Sequence, residues 1–437
     1  MEELMYFVWQ QRLFLNIETL DHQPLDILHP GLRNYDAGPD FFNAKVKEDG
    51  IVWAGNVEMH VKASDWYRHH HQDDPAYDSV ILHVVMDPDV EVKLRNGKTV
   101  KTVVMHIPDD LMERYRQLCS GKAAPLLPGQ VPTYSSISCS SRLEQVPRVV
   151  LHDWITALCT QRMIEKLQRV RDLVEGQLKA WPEAFYVVLT RSFGTGVNSD
   201  NMERLARSLP YNCLLHHKDN LLQIQALLLG QAGLLQMQDA ASKEADEQQE
   251  WRLMQREYAF LRQKFNLTPL NGIYWKTGRV RPPAQPEARL RALAKLIYSH
   301  QDLFDEILEA KNLEQMEKIL GVKGLGLQTV RSLIINAVVP LLLAYAQWQG
   351  DDERCEKALN LLEEMPPESN RYINQWKEAG LEVKSAMDTQ ALLHLFKNYC
   401  QPHKCLRCRI GCWLLKKADN ASSGGEHTLQ VSDEIPF

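Results

Sequence analysis

The sequence lacks the features that would place it in a membrane or direct it out of the cell. No apolar run reaches the roughly 18 to 20 residues that cross a bilayer, because the stretch INAVVPLLLAYA is short and is interrupted by Pro340. The chain begins MEELMYFVWQQ, with acids where a signal peptide carries basic residues. We therefore expect a cytoplasmic protein that has no membrane partner.

Signatures of common nucleotide and hydrolase sites are absent as well. The chain contains no P-loop, no G-x-G-x-x-G fingerprint and no G-x-S-x-G nucleophile elbow. A kinase, a dehydrogenase and a serine hydrolase are therefore not predicted. The formal net charge of -6 does not point to nucleic-acid binding either, so such a role would rest on local basic patches.

What is present is the composition of an ordinary folded protein, with 44% hydrophobic and 24% charged residues in 437. Hydrophobic patterns predict an α+β domain at 1–110, a helix and linker at 111–145, and helical regions at 146–270 and 271–417. The tail at 418–437 lacks core-forming residues, and we expect it to be disordered. The strands predicted within the first region are 41–47, 51–62 and 79–86, followed by a hairpin turning at Asn96-Gly97.

The segment from Gly38 to Lys62, GPDFFNAKVKEDGIVWAGNVEMHVK, carries the most informative pattern. Because successive side chains of a strand point to opposite faces, Glu58, His60 and Lys62 are predicted to share one face. A preceding strand, paired through a tight turn, would bring Asp40 toward the Glu58 end of that face.

These side chains could build a hydrolytic metal site. The carboxylates of Asp40 and Glu58 suit Mg²⁺ or Mn²⁺, which can activate water and neutralise charge on a scissile phosphate. His60 or Lys62 would supply the basic catalytic group. The same alternation is also typical of a half-exposed strand whose charged side chains face solvent, so both interpretations stay open.

Histidines are concentrated directly after this strand, in ASDWYRHHHQDDPAYDSVILHVV. Neutral imidazoles can bind a transition metal or act as general bases near pH 7, although a polar loop is more typical of consecutive histidines and no H-E-x-x-H framework is present. An unpaired polar group inside an apolar strand is costly, so His83 is either hydrogen-bonded in the core or turned toward the site. The predicted accessory residues are His70, His71, Asp74 and His83.

Four of the nine cysteines lie within thirteen residues near the C-terminus. Cys400, Cys405, Cys408 and Cys412 form C-x4-C-x2-C-x3-C, which predicts a metal site in a reducing compartment. Four thiolates can bind Zn²⁺ or a [4Fe-4S] cluster, His403 could replace one of them, and a cysteine-rich helix end is the alternative without metal. The surrounding FKNYCQPHKCLRCRIGCWLLKK has six Lys and Arg residues and no acid, so it could face nucleic-acid phosphates.

Two of these motifs carry a resemblance. GPD, ending at Asp40, followed by EMH, beginning at Glu58, is similar to the signature of the PD-(D/E)XK nuclease superfamily. The resemblance implies a restriction-endonuclease-like mixed sheet with flanking helices, metal ligation by Asp40 and Glu58, and nucleic acid as substrate. The sequence departs from the pattern at His60, where the superfamily has Lys; His60 or Lys62 could substitute, or the site could be inactive. Some nucleases of this superfamily carry an iron-sulfur cluster beside the catalytic domain, which fits the C-terminal cysteines.

Over the full length, the phrases NYDAGPDF, GNVEMHVKASDWYRHHH, VILHVV, GQAGLL and CLRCRIG resemble an uncharacterised bacterial family known only as a domain of unknown function. That family implies no established activity. The resulting hypothesis is a metal-dependent, nuclease-like protein that acts on nucleic-acid phosphodiesters. Two alternatives remain: a non-catalytic nucleic-acid-binding or scaffold protein with a degenerate nuclease fold, and a non-nuclease hydrolase with a histidine and carboxylate metal site.

Overall fold

The chain divides into two compact units, seen in a computed structural model. It describes residues 1–417 except 22, 24, 121–136, 176–179, 238–244, 271–274 and 278–283. The first unit comprises Met1–Trp154, Glu378–Gly380 and the chain from Phe396 onward, and the second comprises Ile155–Lys377 and Leu381–Leu395. Most of the predicted linker in 111–145, and all of the tail predicted to be disordered at 418–437, lie outside the described residues.

The first unit is built on a mixed β-sheet with helices, as the sequence predicts. Its strands in the described part of the chain are β1 (Asn16–Thr19), β2 (Asp26–His29), β3 (Leu32–Arg33), β4 (Phe41–Glu48), β5 (Ile51–Lys62), β6 (Val80–Asp87) and β7 (Thr102–His106). The strand order is β1-β7-β6-β5-β4-β2, and β3 also pairs with β4. β4 and β5 are antiparallel, whereas β5, β6 and β7 run parallel to one another.

The β4–β5 hairpin positions the predicted carboxylates. Its two-residue turn is made by Asp49 and Gly50, both with positive φ (48° and 81°), as a tight hairpin with the natural strand twist requires. Pairing runs from Glu48 opposite Ile51 to Phe41 opposite Val57, with one irregularity between Phe41 and Ala44. Asp40, the residue before β4, therefore lies beside the stretch of β5 that carries Glu58.

The crossover from β5 to β6 carries the histidine-rich stretch. It contains the short helix α2 (Asp65–Arg68) and two 3-10 turns, His71–Asp73 and Pro75–Tyr77. Trp66 and Tyr77 are buried here in an apolar cluster with Val80, Val85 and other side chains. Because these large rings anchor the crossover, His69 and His71, which lie between them, are held against His60 of β5.

The remaining structure is mainly helical. The other helices in the described ranges are α1 (Glu2–Gln11), α3 (Asp109–Ser120), α4 (Arg148–Leu173), α5 (Trp181–Phe193), α6 (Ser199–Ser208), α7 (Tyr211–Leu215), α8 (Leu221–Gln231), α9 (Leu234–Met237), α10 (Ala245–Lys264), α11 (Pro286–Ser299), α12 (Leu303–Glu309), α13 (Leu313–Leu320), α14 (Leu327–Leu333), α15 (Val339–Gln349), α16 (Asp352–Glu364), α17 (Arg371–Glu378), α18 (Ala386–Leu395) and α19 (Arg409–Lys416). α1 packs against β5 through a stripe that includes the fully buried Leu4, Val8 and Trp9.

One helical stretch, Leu327–Gln349, is long and apolar enough to cross a membrane by length and composition. It joins α14 and α15 through a π-helical segment, Ile334–Val338, which accommodates the break before Pro340. Most of it, 72%, is buried inside the structure. Burial of this kind is what the central helix of a folded domain shows, and the stretch forms part of the core of the second unit.

Candidate metal centre

A buried carboxylate, that of Glu58, and a half-buried one, that of Asp40, meet at the start of the β4–β5 hairpin. The backbone N–H of Asp40 donates to Glu58 Oε2 at 3.0 Å, and the backbone N–H of Met59 donates to Asp40 Oδ2 at 3.0 Å. The Glu58 residue is only 5% exposed. The reciprocal bonds mean that the hairpin register itself sets the spacing of the two acids.

The two carboxylates lie close together where water solvates them poorly, and little positive charge compensates them. Burial first, and then the neighbouring Asp40, raise the pKa of Glu58 to about 9. Burial also raises the pKa of Asp40, against the opposing effect of Arg33, whose Nη1 lies 2.8 Å from Asp40 Oδ1. The Arg33 guanidinium lies 3.7 Å from the centre of the Tyr6 ring. One arginine compensates only part of the negative charge of two ionised carboxylates. A cation bound beside Glu58 would compensate the rest.

Three imidazoles gather on the other side of Glu58. His60 Nε2 lies 3.2 Å from His69 Nδ1 and 3.6 Å from Glu58 Oε1, and His71 Nε2 lies 3.2 Å from the same Glu58 oxygen. One nitrogen from each of His60, His69 and His71 falls within 4.8 Å of the others. Three imidazoles beside one carboxylate oxygen are a donor set suited to a divalent transition metal such as Mn²⁺, Fe²⁺ or Zn²⁺.

A fourth histidine supports this group from behind. His83, on β6 opposite Glu58, is fully buried, and its Nε2 lies 2.9 Å from His60 Nδ1. If His60 Nδ1 carries the proton and donates it to His83, His60 Nε2 is left with a free lone pair toward the cluster. His83 Nδ1 is itself buried without a hydrogen-bond partner in the described part of the chain.

His60, His71 and His83 are held in the neutral form that binds metals. Burial, followed by the neighbouring imidazoles, lowers the pKa of His60 to about 2, and burial lowers the pKa of His83 to about 3. The pKa of His71 is lowered by burial as well. No protons need to leave these rings before a metal binds near pH 7.

Aromatic rings wall the cluster on one side, and solvent reaches it on the other. His71 stacks on Tyr77 with ring centres 3.9 Å apart, and Trp66 lies edge-on to His71 at 5.4 Å. Exposure rises in steps from the buried His60 through the half-buried His71 to the exposed His69. A small ligand could therefore approach from the His69 side.

The structure brings some of the predicted site residues together and leaves others outside. The Lys62 ammonium lies 3.3 Å from Asp87 at the exposed end of β5. His70 is exposed and lies 3.8 Å from Asp73, and Asp74 caps a 3-10 turn through the N–H of Ala76. The predicted residues that converge are Asp40, Glu58, His60, His71 and His83.

Three further residues belong to the site. His69 belongs to the run of three histidines in the sequence. What identifies it as a site residue is the left-handed conformation of His70 (φ 61°), which turns the chain between His69 and His71. Arg33 and Tyr6 reach the carboxylates from β3 and α1. No local sequence pattern marks those two, because their contacts depend on how distant segments fold over the hairpin.

The C-terminal cysteines lie in the first unit around α19. Cys405 begins a 3-10 turn, Cys408 immediately precedes α19, and Cys412 lies within that helix with its thiol 3.0 Å from the Leu406 carbonyl oxygen. The loop is tight: a Cβ at Gly411 would lie 2.2 Å from the Cys405 carbonyl oxygen, so glycine is required there.

The fold and the site together define a protein with a mixed-sheet unit, a helical unit, and a partly buried cluster of histidines and carboxylates. A family model described as Protein of unknown function (DUF2851) matches residues 2–325 and 321–371, and the chain belongs to that family. The predicted membership of an uncharacterised family is thus confirmed. No curated protein and no solved structure gives a significant match.

Proposed function

We propose that this protein is a cytoplasmic, metal-dependent hydrolase of nucleic-acid phosphodiesters whose reacting centre is the histidine and carboxylate cluster. The observation that carries the proposal is the position of Glu58, with Asp40 on one side and the nitrogens of His60 and His71 within 3.6 Å on the other. Carboxylates and neutral imidazoles that converge in a buried yet solvent-reachable place are what a catalytic divalent metal requires.

The layout of the hairpin supports nucleic acid as the substrate. Asp40 directly precedes β4, Glu58 lies on β5, and the parallel β6 follows after a short crossover, while α1 covers β5. This arrangement resembles the PD-(D/E)XK layout that the GPD and EMH motifs imply, with both acids on one hairpin. The exposed Lys397, Lys404 and Lys416 near the cysteines offer contacts for phosphates elsewhere in the same unit.

The donor set favours Mn²⁺ over Mg²⁺. Mg²⁺ prefers oxygen ligands, whereas Mn²⁺ accepts both carboxylate and imidazole. Such a metal would polarise a phosphoryl oxygen and lower the pKa of bound water. Glu58, His60, His69 and His71 would hold it, and Asp40 with Arg33 would fix the orientation of Glu58. His60 is too deeply buried to exchange protons with substrate, which favours a ligand role over that of general base.

The experiment is a cleavage assay on metal-stripped protein. Single- and double-stranded DNA, RNA and bis(p-nitrophenyl) phosphate are incubated with Mn²⁺, Mg²⁺ or Zn²⁺. We expect cleavage with Mn²⁺ and a loss of at least about 100-fold in Glu58→Gln. The matched control is Glu91→Gln, an exposed acid of the same unit. Unchanged cleavage in Glu58→Gln, or none by the parent protein with any metal, would remove the proposal.

A non-nuclease metal-dependent hydrolase is the second candidate. The three imidazoles favour it, because the superfamily pattern uses two acids and a lysine, and here Lys62 pairs with Asp87 at the exposed end of β5. Cleavage of the small phosphodiester but not of DNA or RNA, lost in Glu58→Gln, would select this alternative.

A further inference from the structure

A cavity of about 510 Å³ lies in the second unit, among α4, α5 and α6. Six of the seven residues that line it in the described part of the chain are charged, three of them arginines and three of them acids: Arg169, Arg191, Arg207, Asp172, Asp200 and Glu203. The seventh is Leu173. A cavity of this volume takes a small molecule, and its almost wholly charged lining calls for a strongly polar one.

Glu203 fixes the positions of the three arginines. Its Oε1 accepts hydrogen bonds from Arg207 Nε at 3.1 Å and Nη2 at 2.8 Å, and its Oε2 accepts one from Arg191 Nη1 at 2.8 Å. Arg169 Nη1 lies 3.6 Å from the same Oε2. The Glu203 side chain is only 18% exposed. One largely buried carboxylate therefore gathers three guanidinium groups, and it cannot compensate the charge of all three.

Most of the hydrogen-bond donors of these arginines stay available to a ligand. Each guanidinium has five N–H donors. The Arg169 guanidinium donates to no described residue, and Arg191 donates to Glu203 and to Asp200 through Nη1 alone. Planar groups with unused parallel donors match the oxygens of a phosphate group, which they can bind in pairs.

Positive charge continues along α4 from the cavity. Lys166 lies one turn before Arg169, on neighbouring positions of the helix surface. Arg162, a further turn back, donates to the same Gln390 oxygen as Lys166, and Glu368 reaches both cations only through the Gln390 amide. The hydrogen-bond partners of Lys166 in the described ranges are all uncharged oxygens, of Gln390, Asn336 and Ile335. Burial, and then Arg162, lower the pKa of Lys166 to about 7, which is the effect of positive charge without a paired carboxylate.

The other two acids of the cavity select against a bare anion. Asp172 accepts a hydrogen bond from Gln168, one turn earlier on α4, and the Asp200 side chain is 88% exposed. Carboxylates repel a phosphate group, but they accept hydrogen bonds from hydroxyl groups. Guanidinium groups and carboxylates in one cavity therefore suit a ligand that carries both a phosphate and several hydroxyls.

We propose that this cavity binds a small sugar phosphate, whose phosphate is held by Arg169, Arg191 and Arg207 and whose hydroxyl groups are held by Asp172. Since Leu173 is the one apolar residue of the described lining, a nucleobase would find little surface to pack against. This favours a sugar phosphate over a nucleotide. The site lies wholly in the second unit and does not depend on the proposed hydrolase activity.

The test is titration calorimetry on the full chain treated with a chelator, so that no metal in the first unit can bind phosphate. Ribose 5-phosphate and glucose 6-phosphate are compared with inorganic phosphate and with ribose. We expect at least one sugar phosphate to bind more tightly than inorganic phosphate, and ribose not to bind. Arg169→Gln should weaken sugar phosphate binding by about tenfold or more, because it removes a charge-assisted pair of donors. The matched control is Arg171→Gln, on another face of α4, where the arginine pairs with Glu175.

Asp172→Ala separates recognition of hydroxyls from charge alone. It should weaken sugar phosphate binding while inorganic phosphate binds as well as before or more tightly, because a repelling charge has gone. Tighter binding of both ligands in Asp172→Ala would overturn the role of Asp172.

Phenylglyoxal mapping of the parent protein makes the test independent of any variant. A sugar phosphate should protect Arg169 from modification and leave Arg171 reactive. No binding of either sugar phosphate at millimolar concentration, binding that Arg169→Gln leaves unchanged, or inorganic phosphate binding as tightly as both sugar phosphates overturns the proposal. A single-stranded oligonucleotide that binds more tightly than the sugar phosphates, and is weakened by Arg169→Gln, would assign the cavity to a nucleic-acid strand instead. Cleavage is measured separately, so the two proposals can fail independently.

Discussion

Replacing Glu58 by Gln should change how the stability of the metal-free protein depends on pH. The pKa of Glu58 rises from 4.5 to about 9 on folding, so the folded chain holds a proton that the unfolded chain releases between those values. The contribution of the protonated Glu58 to the free energy of unfolding is therefore fully present below about pH 4.5 and is lost as pH rises through 9. The slope is about 1.4 kcal/mol per pH unit, or about 6 kcal/mol over the whole window.

The assay compares urea denaturation of chelator-treated parent and Glu58→Gln at pH 6, 7, 8 and 9. Glutamine keeps the shape and cannot ionise. The free energy of unfolding of the variant should therefore rise relative to that of the parent by about 1.4 kcal/mol for each pH unit. Excess Mn²⁺ should flatten the slope of the parent, because the bound cation keeps the carboxylate ionised in the folded state. Glu91→Gln, at an exposed position, should show the same pH dependence of unfolding free energy as the parent. Parallel curves for parent and Glu58→Gln from pH 6 to 9 would refute the reasoning.

Three further predictions concern single residues. Lys62→Ala should leave Mn²⁺ affinity within about twofold by calorimetry and stability within about 0.5 kcal/mol, because its ion pair is half-exposed; a tenfold loss of affinity would return Lys62 to the site. His83→Ala should weaken Mn²⁺ binding by about 10- to 100-fold, since His60 loses the partner that orients its ring, and unchanged affinity would contradict that role. Gly230→Ala should destabilise the second unit by about 1–3 kcal/mol in thermal or urea unfolding, because the new Cβ would lie 2.2 Å from the Tyr258 ring; a neutral effect would mean that the ring moves aside.

Period-two patterning predicted the hairpin well and the composition of the site only in part. β4 and β5 span Phe41–Glu48 and Ile51–Lys62, close to the predicted 41–47 and 51–62, because alternation and a strong turn act locally. Alternation also placed Lys62 on the face of Glu58, but four residues along a strand is roughly 13 Å. A shared face is therefore not a shared site.

The rest of the site depends on contacts that no local pattern encodes. Arg33 reaches Asp40 because β3 pairs with the start of β4, and Tyr6 arrives on a helix from the N-terminus. The predicted turn at Asn96-Gly97 joins a short bridge between Lys93 and Thr99. The following segment, Thr102–His106, then leaves that hairpin to pair in parallel with β6. These contacts and pairings join segments that are distant in sequence, and they depend on how the whole unit folds.

The first unit is interrupted in sequence, and this sets the order of events as the protein is made. Apart from the short segment Glu378–Gly380, the chain leaves this unit after Trp154 and returns at Phe396, and the returning segment supplies α19, which packs against α3. At about 5–20 residues per second, a ribosome needs on the order of 10 to 50 s to make the roughly 240 residues between those points. The sheet with its histidine cluster can form early, but its unit closes only when synthesis is nearly finished. A truncated chain would therefore emerge with an unfinished unit, open to proteases.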